Sequence, residues 1–185
     1  MGSLAPAVRE AGLKRFGHGH VRQKAAAVAR GWATIRSAVV AWTLPWDRVR
    51  LYQDGLPICG RESDIVESLA AAGSANHQLL LELMRKGAVL TGTESAELVT
   101  EEYRQVRERL AAISHGRRGG YDADSAQSDR LLRRRDQFIA KRIDTTLRAG
   151  DIGILFVGLL HSVGPHLADD IVATYPVGRP AGAKA

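Results

Sequence analysis

Three residues of the types that move protons or bind metals stand where short apolar runs end. Asp54 follows the alternating segment Arg48-Val49-Arg50-Leu51-Tyr52-Gln53, Glu94 comes just after Ala88-Val89-Leu90-Thr91, and His161 closes the apolar run from Ile152 to Leu160. Two carboxylates and an imidazole on one rim can do two kinds of chemistry. They can hold a divalent cation, Mn²⁺ or Zn²⁺, with water completing its shell and one water activated for attack. Alternatively, His161 acts as general base, oriented by Glu94 or Asp54. The same residues have plain structural uses: Asp54-Gly55 is a common turn pair, Glu94 helps Ser95 open a helix, and His161 is a polar residue at a helix start. Both readings stand at this level.

Arg135 and Asp136 form a second constellation. Asp136 lies four residues after Leu132 and three before Ile139, so helical spacing puts a carboxylate on a buried face, which is costly unless a donor meets it. A strand-end backbone amide or an arginine would serve; otherwise the carboxylate faces a pocket. Arg135 has a planar fork suited to an anionic substrate or intermediate, and equally to a structural ion pair within an arginine-rich helix. Weaker candidates are His18 and His20, flanked by glycines with no third ligand nearby, and Cys59, with no base at motif spacing. No phosphate loop, dinucleotide fingerprint or Gly-x-Ser-x-Gly elbow is present.

These residues need elements to position them. Val21, Val28, Trp32, Ile35, Val39 and Trp42 step by seven, four, three, four and three, which predicts a long amphipathic helix ending before Pro45. The segments at 48–53, 88–91 and 152–157 read as strands. Helices are predicted from Ser63 to about Ala72, from Ser74 to Lys86, from Ser95 to Ile113, and from about Ser125 to Leu147, the last with Leu132, Ile139, Ile143 and Leu147 on one face. Residues 114–124 read as a polar surface loop, Pro165 as the opening of a last helix to about Ala173, and 176–185 as a fraying tail. Strands separated by helices imply right-handed crossovers, hence an α/β fold: one helix-rich domain over residues 1–175, with a parallel β-sheet flanked by helices and residues 1–46 packing on it as a helical segment. In such sheets chemistry collects beyond the carboxyl ends of the strands, where Asp54, Glu94 and His161 fall.

Composition bounds the rest. At 185 residues, with 45% hydrophobic and 25% charged residues, the chain fits one globular domain. The longest apolar stretch is about half of the roughly 20 residues a membrane helix needs, which predicts no membrane association. One cysteine excludes an internal disulfide, and with no secretory signal pattern after Met1 it predicts a cytoplasmic protein. The region from Arg104 to Arg148 carries 12 basic residues against six acidic, a surplus equal to the whole net charge of +6. Such a face suits an anionic partner. The near absence of aromatic residues there argues against nucleic acid, and 21 arginines against five lysines in an alanine-rich chain also reflect high-GC coding.

The C-terminal block, Arg135-Asp136-Gln137-Phe138-Ile139-Ala140 followed by Gly153-Ile154-Leu155-Phe156-Val157-Gly158-Leu159-Leu160-His161, resembles the closing segment of the TraB/ChaN/erythromycin-esterase-like superfamily over about 30 residues. There an Arg-Asp or Arg-Asn helix start leads to a strand ending in Gly-x-x-His. The resemblance implies a parallel α/β domain with a polar site at the strand ends, in a group that includes hydrolases, metal-dependent proteases and a haem-binding protein. It gives Gly158 and His161 the Gly-x-x-His role, Arg135 the helix-start role and Glu94 that of a strand-end glutamate. Those families open with an early strand ending in a His-bearing motif, which is missing here, so Met1 is expected to be an internal start.

The expectation is therefore a hydrolase-type domain acting on a small molecule or peptide: Glu94 and His161 bind a metal or activate water, Arg135 neutralises substrate charge, Asp136 completes the acid-base set, and Asp54 and Gly158 contribute to binding. The alternative is a non-enzymatic interaction protein whose arginine-rich face meets an anionic partner. The tryptophan-bearing first helix also suits a homodimer interface.

Overall fold

The computed structural model describes residues 5–114 and 121–177. Its elements run α1 (Ala5–Val40), β1 (Val49–Pro57), α2 (Glu62–Ala71), α3 (Ala75–Arg85), β2 (Val89–Glu94), α4 (Ala96–Ser114), α5 (Tyr121–Thr146) and β3 (Ile152–Phe156), with single 3₁₀ turns at Trp46–Arg48 and Gly164–His166. The three strands form one parallel sheet in the order β2-β1-β3, the core of a single helix-rich α/β domain. No helix among the described residues is long and apolar enough to cross a membrane.

The period of two along β1 explains the layering. Val49 and Leu51 point to one face, where Val39 of α1, Val66 of α2 and Leu79, Leu80 and Leu83 of α3 close over them, joined by Ile154 and Phe156 of β3. Tyr52 points to the other face and meets Ile139, Ala140 and Ile143 of α5. Each fully buried leucine contributes about 1.5–3 kcal/mol, so α3 alone ties down one side of the sheet. The chain moves from β1 to one neighbour and then back across β1 to the other. Crossovers of one hand must then put their helices on opposite faces, and they do: α2 and α3 on the first, α5 on the second. The connections leave β1 and β2 toward opposite faces, which makes the carboxyl ends of these two strands the crevice of the fold.

One irregularity matters for the site. Gln53 pairs with Gly92 and Pro57 with Glu94, so β1 spends four steps where β2 spends two. The two extra residues are accommodated by Gly55, whose φ of 78° is costly for any residue with a Cβ. Gly92 faces this bulge: a Cβ there would lie 3.0 Å from the Pro57 carbonyl oxygen and 3.1 Å from Ile58 Cα, a tight fit that a side chain could take only if this backbone gave way.

The structure alters several expectations. The first strand extends four residues beyond Gln53, so Asp54 lies inside its irregular end, and the second runs on through Glu94. α5 begins at Tyr121, four residues early, and its buried leucine is Leu131, with Leu132 half-buried. Residues 115–120 of the expected loop and 178–185 of the expected tail lie outside the described residues. Pro165 opens a single 3₁₀ turn and no helix, because Leu167 is already extended (ψ 152°) and packs with Ile171 against the α5 cluster. The predicted first-helix stripe is covered only at its C-terminal end: Val39 is in the core and Trp32, Ile35 and Trp42 pack on it, whereas Val28 is 54% exposed. α1 also carries seven Lys and Arg against Glu10, so the basic surplus is shared between α1 and the 104–148 region.

Candidate functional site

Four separate parts of the chain deliver the site. The bulge at the end of β1 presents Asp54, the last residue of β2 is Glu94, and α5 supplies Arg135 and Asp136, both buried on the helix that also buries Leu131, Ile139, Ala140 and Ile143. His161 arrives by a tight turn after β3, closed by its own N–H donating to the Gly158 carbonyl at 3.1 Å. Ser95 caps α4 by accepting the Glu97 N–H, and helical spacing from there brings Glu102 round to the same cluster.

Arg135 is the hub. Its Nη2 donates to Asp54 Oδ1 at 2.5 Å and to Glu94 Oε1 at 2.8 Å, its Nε to both Glu94 oxygens at 3.2 and 3.3 Å, and its Nη1 to Glu102 Oε1 at 2.8 Å. Burial alone would lower its pKa, but the surrounding carboxylates, Glu94 first, raise it, so it stays charged. Arg135 thus spends these hydrogen bonds on three protein carboxylates, Asp54, Glu94 and Glu102. Glu94 is fully buried, and burial raises its pKa against the pull of Arg135, with Asp54 adding to the rise.

His161 is held at both ring nitrogens. Asp136 Oδ1 lies 2.5 Å from Nδ1 and Asp54 Oδ2 lies 3.0 Å from Nε2. Asp136 is itself fixed because its Oδ2 accepts the Ser162 N–H at 2.9 Å, which supplies the donor a buried carboxylate requires. Burial would lower the His161 pKa, but the hydrogen bonds and charges of Asp136 and Asp54 overcome it and raise it to about 9. Burial likewise pushes Asp54 up, and His161 and Arg135 outweigh it, holding its carboxyl down at about 2. At neutral pH the resting arrangement is therefore an imidazolium between two carboxylates. Gly158 joins through its backbone, its N–H 3.4 Å from Asp54 Oδ2; a Cβ there would make only ordinary contacts.

All five expected side chains thus meet, together with the Gly158 backbone. What spacing alone missed is Glu102, a fourth carboxylate placed by the register of α4 against Arg135. The orienting partner of His161 is Asp136, with Asp54 on the opposite nitrogen and Glu94 turned to Arg135. Glu94 and His161 do not offer free donors to one cation, and among the described residues no group of three or more His, Cys, Asp or Glu is arranged to hold a metal ion. Asp54 and Glu102, with side chains 20% and 29% exposed, are the members open to solvent. Leu159 and Leu160, over 80% exposed, stand beside His161.

The expected basic face is smaller than its composition suggests, since Arg135 turns inward and Arg142 donates to the Gly92 carbonyl. Apart from the cluster, a depression of about 350 Å³ on α4 is lined by Thr100, Tyr103, Arg104, Arg107 and Glu108. No family model, curated protein or solved structure matches this chain, so the resemblance to the TraB/ChaN/erythromycin-esterase-like superfamily rests on the residues quoted above.

Proposed function

We propose that the chain is a cytoplasmic hydrolase of the histidine-assisted type acting on a small molecule, with His161 as its proton carrier. The observation that carries this reading is the imidazole held between Asp136 and Asp54 at the carboxyl end of a parallel sheet. Asp136 fixes the orientation of the ring and stabilises its imidazolium, as the third member of a catalytic triad does. Arg135 keeps Asp54 ionised and in place, and Glu94 keeps Arg135 in place, so these two are positioning residues. The TraB/ChaN likeness at Gly158-x-x-His161 favours the same reaction class.

The test is hydrolysis of a panel of nitrophenyl esters and simple epoxides by the purified chain, with His161→Ala and Asp136→Asn variants checked for fold by circular dichroism. Activity that falls about 100-fold or more in both folded variants, the scale of general acid-base catalysis, supports the proposal. Activity indifferent to both variants contradicts it.

A second reading is a binding protein for an anionic partner, favoured by the α4 depression with Tyr103, Arg104 and Arg107 in its wall. Polyanion retention that falls steeply with salt and is abolished by Arg104→Glu with Arg107→Glu, but not by His161→Ala, would select it.

A further inference from the structure

We propose that Asp54 is the covalent nucleophile of a two-step hydrolysis, and that the substrate is a neutral, largely apolar electrophile at saturated carbon, an epoxide being the simplest; this rests on the hydrolase reading above. The geometry is that of a nucleophile, a base and an orienting group in series: Asp54 Oδ2 lies 3.0 Å from His161 Nε2, and Asp136 Oδ1 lies 2.5 Å from His161 Nδ1. Asp54 is also the member of that series open to solvent, and it stands on the bulge that Gly55 permits at the carboxyl end of β1.

The substrate class follows from charge and surface. Four carboxylates, Asp54, Glu94, Glu102 and Asp136, surround the two cationic groups Arg135 and His161. The guanidinium gives its hydrogen bonds to three of them. A phosphate or carboxylate substrate would meet excess negative charge at this cluster, whose two cationic groups are already paired with carboxylates. A neutral substrate meets no such barrier, and the exposed Leu159 and Leu160 give it apolar surface beside His161.

The steps balance without any co-reactant but water. An Asp54 oxygen attacks a ring carbon, the carbon–oxygen bond of the ring breaks with its electron pair moving to oxygen, and the His161 imidazolium gives that oxygen its proton. This leaves a hydroxyalkyl ester on Asp54 and a neutral His161. Esterification removes one of the two charges that held the imidazolium, so the neutral ring can now act as base. His161 takes a proton from water as the water oxygen attacks the ester carbonyl. The bond to the alkoxy oxygen then breaks, His161 returns the proton to that oxygen, and a diol leaves. Asp54, momentarily protonated, passes its proton to His161, which restores the starting charges. The water oxygen ends in Asp54, and the diol carries an oxygen that was in Asp54.

The experiment is a single turnover of 1,2-epoxyhexane by excess protein in ¹⁸O-water, with mass spectrometry of the diol and of the peptide containing Asp54. Label in Asp54 with an unlabelled diol is the expected result, together with a transient alkyl adduct on Asp54 in the wild type. Label in the diol with none in Asp54 would overturn the nucleophile while leaving His161 as base for direct water attack. Absence of both diol and adduct overturns the proposal outright, and the nitrophenyl esters above then judge the hydrolase reading separately. The wild-type label stands even if an Asp54 variant fails to fold.

Discussion

His161 should make the stability of this protein fall with pH in a defined window. Its folded pKa of about 9 against an ordinary 6.5 means that the pairing with Asp54 and Asp136 contributes fully below pH 6.5. The contribution declines as the unfolded chain releases its proton and is gone above pH 9. At 1.36 kcal/mol per unit, a raised pKa of this size is worth about 3 kcal/mol in total, of which about 1 kcal/mol is already lost at pH 7.5. The side chain is 5% exposed, so solvent screening takes little from this. Urea unfolding of the wild type and of His161→Gln at intervals from pH 6 to pH 10 isolates the effect, since other titrating groups are common to both. The wild type should lose about 3 kcal/mol more than the variant across that range. A difference between the two curves that stays flat with pH would refute the double pairing.

Removing Glu94 should cost far more than removing an exposed acid: Glu94→Ala leaves Arg135 buried with one partner fewer, and chemical denaturation should show a loss of about 3–5 kcal/mol, against about 1 kcal/mol or less for Glu101→Ala, whose pair with Arg134 is exposed. Gly92→Ala should destabilise by about 1–3 kcal/mol, because the added methyl meets the backbone of Pro57 and Ile58, a change readable as a lowered Tm. Leu79→Ala, at the centre of the α3 contact with the sheet, should lose about 2–5 kcal/mol without altering the far-ultraviolet spectrum of the remaining folded protein.

The sequence made the strand ends legible because two strands are short apolar runs beside glycine and the other alternates polar with apolar residues, and because parallel sheets place their functional residues at one edge. That reasoning brought Asp54, Glu94 and His161 to a common rim, and the helical period brought a buried Asp136 there as well. It did not yield who pairs with whom. Contacts such as Arg135 to Asp54 and His161 to Asp136 join residues far apart in the chain, and no local period reports the angle at which α5 crosses the sheet. Glu102 was invisible for the same reason: on α4 it is one acid among several until the helix is docked. The β1 bulge was hidden because Asp54-Gly55 looks identical whether it ends a strand or bends one. The last helix failed since a proline start signal cannot compete with Leu167 and Ile171 packing in extended form against α5.

The central claim is that His161 rests as an imidazolium between two carboxylates, poised to give a proton. The most direct measurement is its titration by ¹⁵N–¹H nuclear magnetic resonance, assigned by comparison with His161→Gln. Both ring nitrogens protonated at pH 7, with a midpoint near 9, is the predicted result. A neutral ring at pH 7, or a midpoint at the ordinary value of about 6.5, would contradict the account.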